Sequence, residues 1–453
     1  MKSRGLISLF LISFCGCAVD QQKEIEIYQK EIRLTDGQVD YVSGSPLTLR
    51  QAILLTSQND EVLAQRGESY LRAVIARKRT QAEFLPTVDL VPVYSRREKV
   101  ASQTGSSSQD QSLDVTVQGS INLFNGFQDV NRVWRDEYVA KQRRNELLHQ
   151  QEALMLDTAE VFFQVLRSEA SVRVLESSLQ LQDERFRDAQ GRVDVGLASP
   201  LVASQTHAQV AATRTTLIRA QEDVRQSRSR LALLTSQPVQ QAPLTDDYDP
   251  PDLPDLQELL DQAAKMRQDL RAAEQAVQAA RHDVEVAFGQ YYPSISLNLD
   301  VFLYRESVPD TRTWEGLLTA NFPIFSAGRI EQDIRTAWSN YRSALLARSY
   351  LERSVRSEVE QSYQAVQASI QRLGQLRVQV DAAQQALRQA EESYKAGLAT
   401  NLDRITAQDT LLQAQLQLVS EQYDYKLLYL TLLQHVGDLR EYVVSWKPLQ
   451  QRD

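Results

Sequence analysis

Two hydrophobic periods divide the chain. Leu373, Leu376, Val380, Ala383, Leu387, Ala390 and Tyr394 are spaced three and four residues apart by turns. Leu402, Ile405, Asp409, Leu412, Leu416, Val419 and Tyr423 carry the same spacing beyond Gly397, with Asp409 as a polar member suited to setting register. Alternating 3/4 spacing is the 3.5-residue period of a coiled-coil seam. Gly397 suits a left-handed helix stop, and Thr400 with Asp403 three residues on reads as a capping box. The stretch predicts two long antiparallel helices joined by a tight turn.

That turn has a twin. Gly196-Leu197-Ala198-Ser199-Pro200-Leu201 repeats the Gly397-Leu398-Ala399-Thr400-Asn401-Leu402 pattern. At the same offset Val172, Leu175, Leu179, Gln182, Phe186, Ala189 and Val193 fall on the seam positions. Ser199 as N-cap with Pro200 at the first helical position is strong start chemistry. The chain is an internal duplication.

Elsewhere the period falls to 2. Ile295, Leu297, Leu299, Val301 and Leu303 alternate with Ser296, Asn298, Asp300 and Phe302, and Val115, Val117, Ile121 and Leu123 with Thr116, Gln118, Ser120 and Asn122. With the less regular stretches around 88–94 and 317–324, each half predicts one β-hairpin with a polar tip, over 96–111 and 305–313. Alternating strands of about 9–11 residues suit a transmembrane barrel, although a soluble half-buried sheet shows the same pattern.

Around these hairpins the helices order themselves. One helix is expected from 47 to about 84, stopped by Pro86, and its counterpart from 256 to about 291, stopped by Pro293. Proline-free stretches from Gly126 to Gly196 and from Gly328 to Gly397 predict rods of roughly 70 residues, about 100 Å each. The returning helices, 200 to about 234 and 401 to about 436, cover half that length. The first-repeat bounds are 47–236 and the second-repeat bounds 256–440. Between them 237–255, rich in proline and acid, reads as a linker rather than an element. Residues 17–46 form an N-terminal extension, and 441–453 a tail that adds a short strand or packs on the helices.

The N-terminus changes the compartment. Lys2 and Arg4 precede an apolar run too short for a membrane span, as in a secretory signal over 1–16. The two cysteines, Cys15 and Cys17, both sit at its end, so neither staples the fold. Gly16-Cys17 resembles a bacterial lipobox, which implies acylation of Cys17; Ala18 after it favours the outer membrane. Formal charge is −9, and losing Lys2 and Arg4 with the signal makes the chain more acidic still, against nucleic-acid binding. The four histidines, His149, His207, His282 and His435, have no metal-ligand spacing, and neither a nucleophile elbow nor a phosphate loop is present, so an enzyme is not expected.

Helix, β-hairpin, very long helix, turn, half-length helix, all duplicated behind a lipoprotein signal: the chain resembles the TolC-like outer membrane efflux protein family. The residues carrying the likeness are Leu49, Ala52 and Ile53, then Phe84-Leu85-Pro86 and Tyr291-Tyr292-Pro293 at strand entry. Phe124-Asn125-Gly126 and Phe325-Ser326-Ala327-Gly328 follow at strand exit, with both Gly-Leu-Ala turns. The resemblance implies a mainly α fold with a transmembrane β-barrel portion. Duplicated helical hairpins form an α-barrel tunnel, and four strands per chain build a twelve-stranded barrel in a homotrimer set in outer membrane lipid. It implies a passive duct, without cofactor, served by a periplasmic membrane-fusion adaptor and an inner-membrane transporter of the RND or ABC type. Adaptors would dock at the tips, Gly196, Leu197 and Ser199 with Gly397, Leu398 and Thr400. Asp403 and Tyr394 match family positions at a closed periplasmic aperture, but Thr406 stands where a second acid is expected, and Asp403 also serves as a helix cap. The competing reading is a lipid-anchored periplasmic coiled-coil scaffold, which explains the heptads but not the alternating hairpins.

Overall fold

The computed structural model describes residues 20–35, 37, 39, 41–42, 44–96, 111–306 and 312–445. Cys17, Trp446 and most of the first hairpin tip lie outside them.

The extension 17–46 holds a helix that its polar sequence hid. Helix α1, Gln21–Ile32, starts where the Asp20 carboxylate accepts from the backbone N–H groups of Gln22 and Lys23. It lies across the wall of longer helices, with Tyr28 seated directly over Gly67, where a Cβ would collide with the ring. Glu31 receives Arg144 at 2.7 Å.

The two expected single helices are each broken. Strand β1 (Leu47–Thr48) leads into α2 (Leu49–Asn59) and α3 (Glu61–Ala82), interrupted at Asp60, whose ψ of 121° is extended. The Asp60 carboxylate accepts from the Leu63 N–H at 2.6 Å, so the interruption is a second N-cap. In the other half α6 (Leu256–Met266) and α7 (Gln268–Gly289) part at Arg267, with ψ 122°. The linker also differs from expectation. It carries strand β4, Leu244–Thr245, paired in parallel with β1, and it buries Val239, Ala242 and Tyr248. The tail holds α10, Leu439–Ser445, a helix that buries Leu439 and Val443 rather than a strand.

Strands β2 (Thr87–Arg96), β3 (Gln111–Asn125), β5 (Ser294–Arg305) and β6 (Trp314–Asn321) form one antiparallel sheet in the order β2-β3-β5-β6. From it descend α4 (Gln128–Asp194) and α8 (Arg329–Lys395), 67 residues each, or about 100 Å. They return as α5 (Pro200–Thr235) and α9 (Asn401–Val436), 36 residues each. Half-way along the rods lies the main apolar core. Phe162, Phe163 and Val165 of α4 meet Val355 and Val359 of α8, Ile53 of α2, Ala263 of α6 and Leu430 of α9.

Candidate functional site

Function in such a molecule belongs to its two ends, the sheet and the turns. The sheet is open. Strands β2 and β6 are its edges, each with one neighbour among the described residues. Val88, Leu90, Leu303, Leu317 and Leu318 are exposed on it. Aromatic side chains bracket it: Tyr94, Tyr304 and Trp314 at one end, Phe84, Tyr291, Tyr292 and Phe322 at the other. Ten residues of strand at roughly 3.3 Å each, tilted by about 40°, span the ~25 Å apolar band of an outer membrane barrel, with aromatic girdles at its rims.

At the far end both turns close in the same way. Gly196 and Gly397 adopt φ of 77° and 76°, the left-handed conformation glycine takes without cost. Leu197 N–H reaches back to Arg192 O at 2.7 Å, and Leu398 N–H to Ser393 O at 2.8 Å, the six-to-one bonds of a Schellman stop. Leu197 and Leu398 beyond them are 78% and 85% exposed. The starts that follow differ. Ser199 caps α5 singly, accepting from Leu201 N–H, whereas Thr400 and Asp403 form the full capping box on α9. The Asp403 carboxylate accepts from both the Thr400 hydroxyl (2.6 Å) and its N–H (2.8 Å). Those two bonds, the hydroxyl's first, hold its pKa below the usual carboxylate range.

The seam through the turns differs from its sequence reading on one strand of the hairpin. All seven α4 positions and all seven α8 positions are buried or half-buried. On α9, however, Leu402 is 59% exposed, and the buried residues of the first two turns are Asn401, Arg404 and Gln408. Periodicity did not reveal this polar stripe, although its own 3/4 spacing is its signal. It faces the first hairpin. Arg185 of α4 reaches Gln408 and Glu391, Asn401 donates to the Thr206 hydroxyl of α5 at 3.5 Å, and Gln209 meets Asp409. Asp409 therefore links hairpins instead of sitting within one. Burial pushes the Arg185 guanidinium down to about 10, still charged at neutral pH. Tyr394 lies under the Arg404 guanidinium at 4.4 Å from ring centre, in a cation–π contact. The structure thus places Asp403 with Thr400, and Tyr394 with Arg404, a residue the sequence reading passed over.

A family model described as "Outer membrane efflux protein" matches the chain twice, over residues 57–237 and 259–438. The chain belongs to the outer membrane efflux protein family. It is 24% identical over 424 residues to the outer membrane efflux protein BepC of Brucella suis biovar 1, covering 90% of this chain and 92% of that one. Its fold matches the outer membrane protein VceC of Vibrio cholerae with a TM-score of 0.76 at 21% identity, over 86% of this chain and 96% of the other. The Campylobacter jejuni CmeC outer membrane channel gives 0.78 at 16% identity, over 86% of each. Family membership sets the molecule in the outer membrane as an efflux protein, and its mainly α fold with a β-barrel portion is that of these solved structures.

Proposed function

We propose that three copies of this chain close into one passive duct across the outer membrane and periplasm. The observation that carries the reading is the four-stranded sheet with both edges free. An open edge in lipid leaves backbone N–H and C=O groups unsatisfied at several kcal/mol each, so β6 of one copy pairs with β2 of the next. Two copies would close an eight-stranded barrel filled by its own side chains; three give twelve strands and leave a channel. The helices then form the tunnel below. Acylation of Cys17, three residues before the α1 cap, ties each subunit to lipid. The exposed turns Gly196, Leu197 and Ser199, with Gly397, Leu398 and Thr400, receive a periplasmic adaptor. An inner-membrane transporter, RND or ABC, supplies the cargo and the energy. Asp403 and Tyr394 narrow the tip.

The test is assembly and conductance. In detergent the protein runs as a trimer, and it inserts into planar bilayers as conducting pores; a monodisperse monomer without conductance overturns the reading. Metabolic palmitate labelling that persists in Cys17→Ala overturns the anchor alone.

A further inference from the structure

Helices α3 and α4 enclose a groove of about 290 Å³ lined by Arg66, Ser69, Arg72, Arg143, Glu146 and Leu147. Its charge is against the trend of an acidic chain: three guanidiniums to one carboxylate. Glu146 is already engaged, accepting from Arg143 at 2.7 Å and from Gln142 at 2.8 Å. Arg72 donates to the Ser69 hydroxyl at 2.8 Å, and neither Arg72 nor Arg66 has a carboxylate partner among the described residues. The fully buried Leu147 closes the floor. Clustered guanidiniums repel one another unless an anion shares them, and their planar donors suit the oxygens of a carboxylate or phosphate.

The face on which this groove opens follows from α1. Helix α1 packs on α3 through Leu63, Gly67 and Leu71. At about 100° per residue, Ser69 and Arg72 stand roughly 200° and 140° around α3 from Gly67, on the opposite face of the wall, with Arg66 about 100° round at its flank. If Cys17 is acylated, as proposed above, α1, which starts four residues after it, lies on the bilayer side of the wall, and the groove opposite α1 faces the lumen. Three subunits then set nine arginines around the passage.

We propose that the Arg66–Arg72–Arg143 groove is an anion-binding station on the tunnel wall, taking multivalent carboxylate or phosphate groups of passing solutes. Its position rests on the trimeric-duct reading; its chemistry does not. Inorganic triphosphate is the probe, used on the full-length protein in two ways. Added to the detergent-solubilised protein it raises the melting temperature, and added to a bilayer chamber it blocks single-channel current. Both effects weaken as salt screens them. Arg66→Ala/Arg72→Ala, which keeps the Arg143–Glu146 pair, weakens apparent triphosphate affinity roughly tenfold or more, as loss of charge-assisted bonds demands. Arg66→Lys/Arg72→Lys retains most of it. No melting shift in the wild type, or an equal shift in the Ala double variant, overturns the site. A shift lost in the variant without any block of conducting wild-type pores overturns the luminal placement. Wild type that forms no pores sinks the duct itself, and the melting shift then decides the anion site alone.

Discussion

The long helices meet one another twice, and by different chemistry. Half-way along, α4, α8 and α9 join α2 and α6 through Phe162, Phe163, Val359 and Leu430, none more than 2% exposed. At the turns α4, α5, α8 and α9 meet through Arg185, Asn401, Arg404, Gln408 and Thr206, buried but polar. An apolar core is close-packed and has one good arrangement, because any shift opens a cavity. Buried hydrogen bonds exchange more readily, since water or another partner can replace what is lost when the groups separate. The hub is thus held by close apolar packing and the turn end by buried polar contacts. The difference explains why the exposed leucines of the tip, Leu197 and Leu398, leave the wall intact. Their backbone N–H groups close the turns, and their side chains are left to solvent.

The largest effect expected from this contrast is at Phe162. Phe162→Ala empties a fully buried site and costs about 3–5 kcal/mol, read as a lowered unfolding midpoint. Leu398→Ala at the tip, 85% exposed, leaves the midpoint unchanged. Equal losses at the two positions would break the distinction.

Next is a charge inside the hub end. Glu152 on α4 is 2% exposed, facing Arg267 and Asp269 of the α6–α7 break and Asp438 and Arg440 at α10. Burial, with the Asp269 charge next, raises its pKa to about 7. The folded state therefore holds a proton that the unfolded chain releases near its ordinary value of 4.5. Its contribution is fully present below that value and is lost as pH rises through about 7, a penalty on the order of 3 kcal/mol at alkaline pH. Glu152→Gln flattens the pH dependence of the melting temperature between 5 and 8 (about the span of the titration) and stabilises the protein at its upper end. A melting profile of unchanged slope in that variant removes Glu152 as its source.

How far these two regions were legible in the sequence differs for the same reason. The seams Leu175–Ala189 and Leu373–Leu387, the Ser199 and Thr400 caps and the alternation of 295–303 are local, because each needs only its neighbours along the chain. The interruptions at Asp60 and Arg267 keep the helical period on either side and hide in it, since an extended residue between two helices changes direction and not composition. Asn401, Arg404 and Gln408 escaped notice, since polar residues at helical spacing ordinarily face solvent. Gln408 meets Arg185 of α4 and Asn401 meets Thr206 of α5, some two hundred positions earlier, and a helix wheel holds no record of those neighbours. Helix α1 was missed because Ile25, Tyr28 and Ile32 are few among charged residues, and their docking depends on the absent side chain of Gly67.

A smaller effect sharpens the tip itself. Gly397→Ala forces a Cβ into φ 76° at a position with open space around it, so the cost is backbone strain alone, about 1–2 kcal/mol. Gly196→Ala, at φ 77° and equally open, costs the same. A clear inequality between the two would show that one turn is already held by something the other lacks.

The capping box is that candidate, and Asp403 tests it with the smallest structural effect. Its carboxylate is exposed and, among the described residues, bonded only to Thr400, so Asp403→Ala removes a local cap and shifts melting by a few degrees at most. Its lowered pKa keeps it charged throughout the neutral range. If three copies converge at the tunnel mouth, three carboxylates repel one another and draw cations in. The closed pore is then cation-selective and blocked by a small trivalent cation that all three share, and Asp403→Ala abolishes the block and raises conductance. Ser199, the matching cap on the first turn, carries no charge, so Ser199→Ala lowers melting comparably and leaves the block intact. Single-channel recordings of both variants with and without the trivalent cation separate the roles. Block that survives in Asp403→Ala makes Asp403 a cap like Ser199 and takes it out of the aperture.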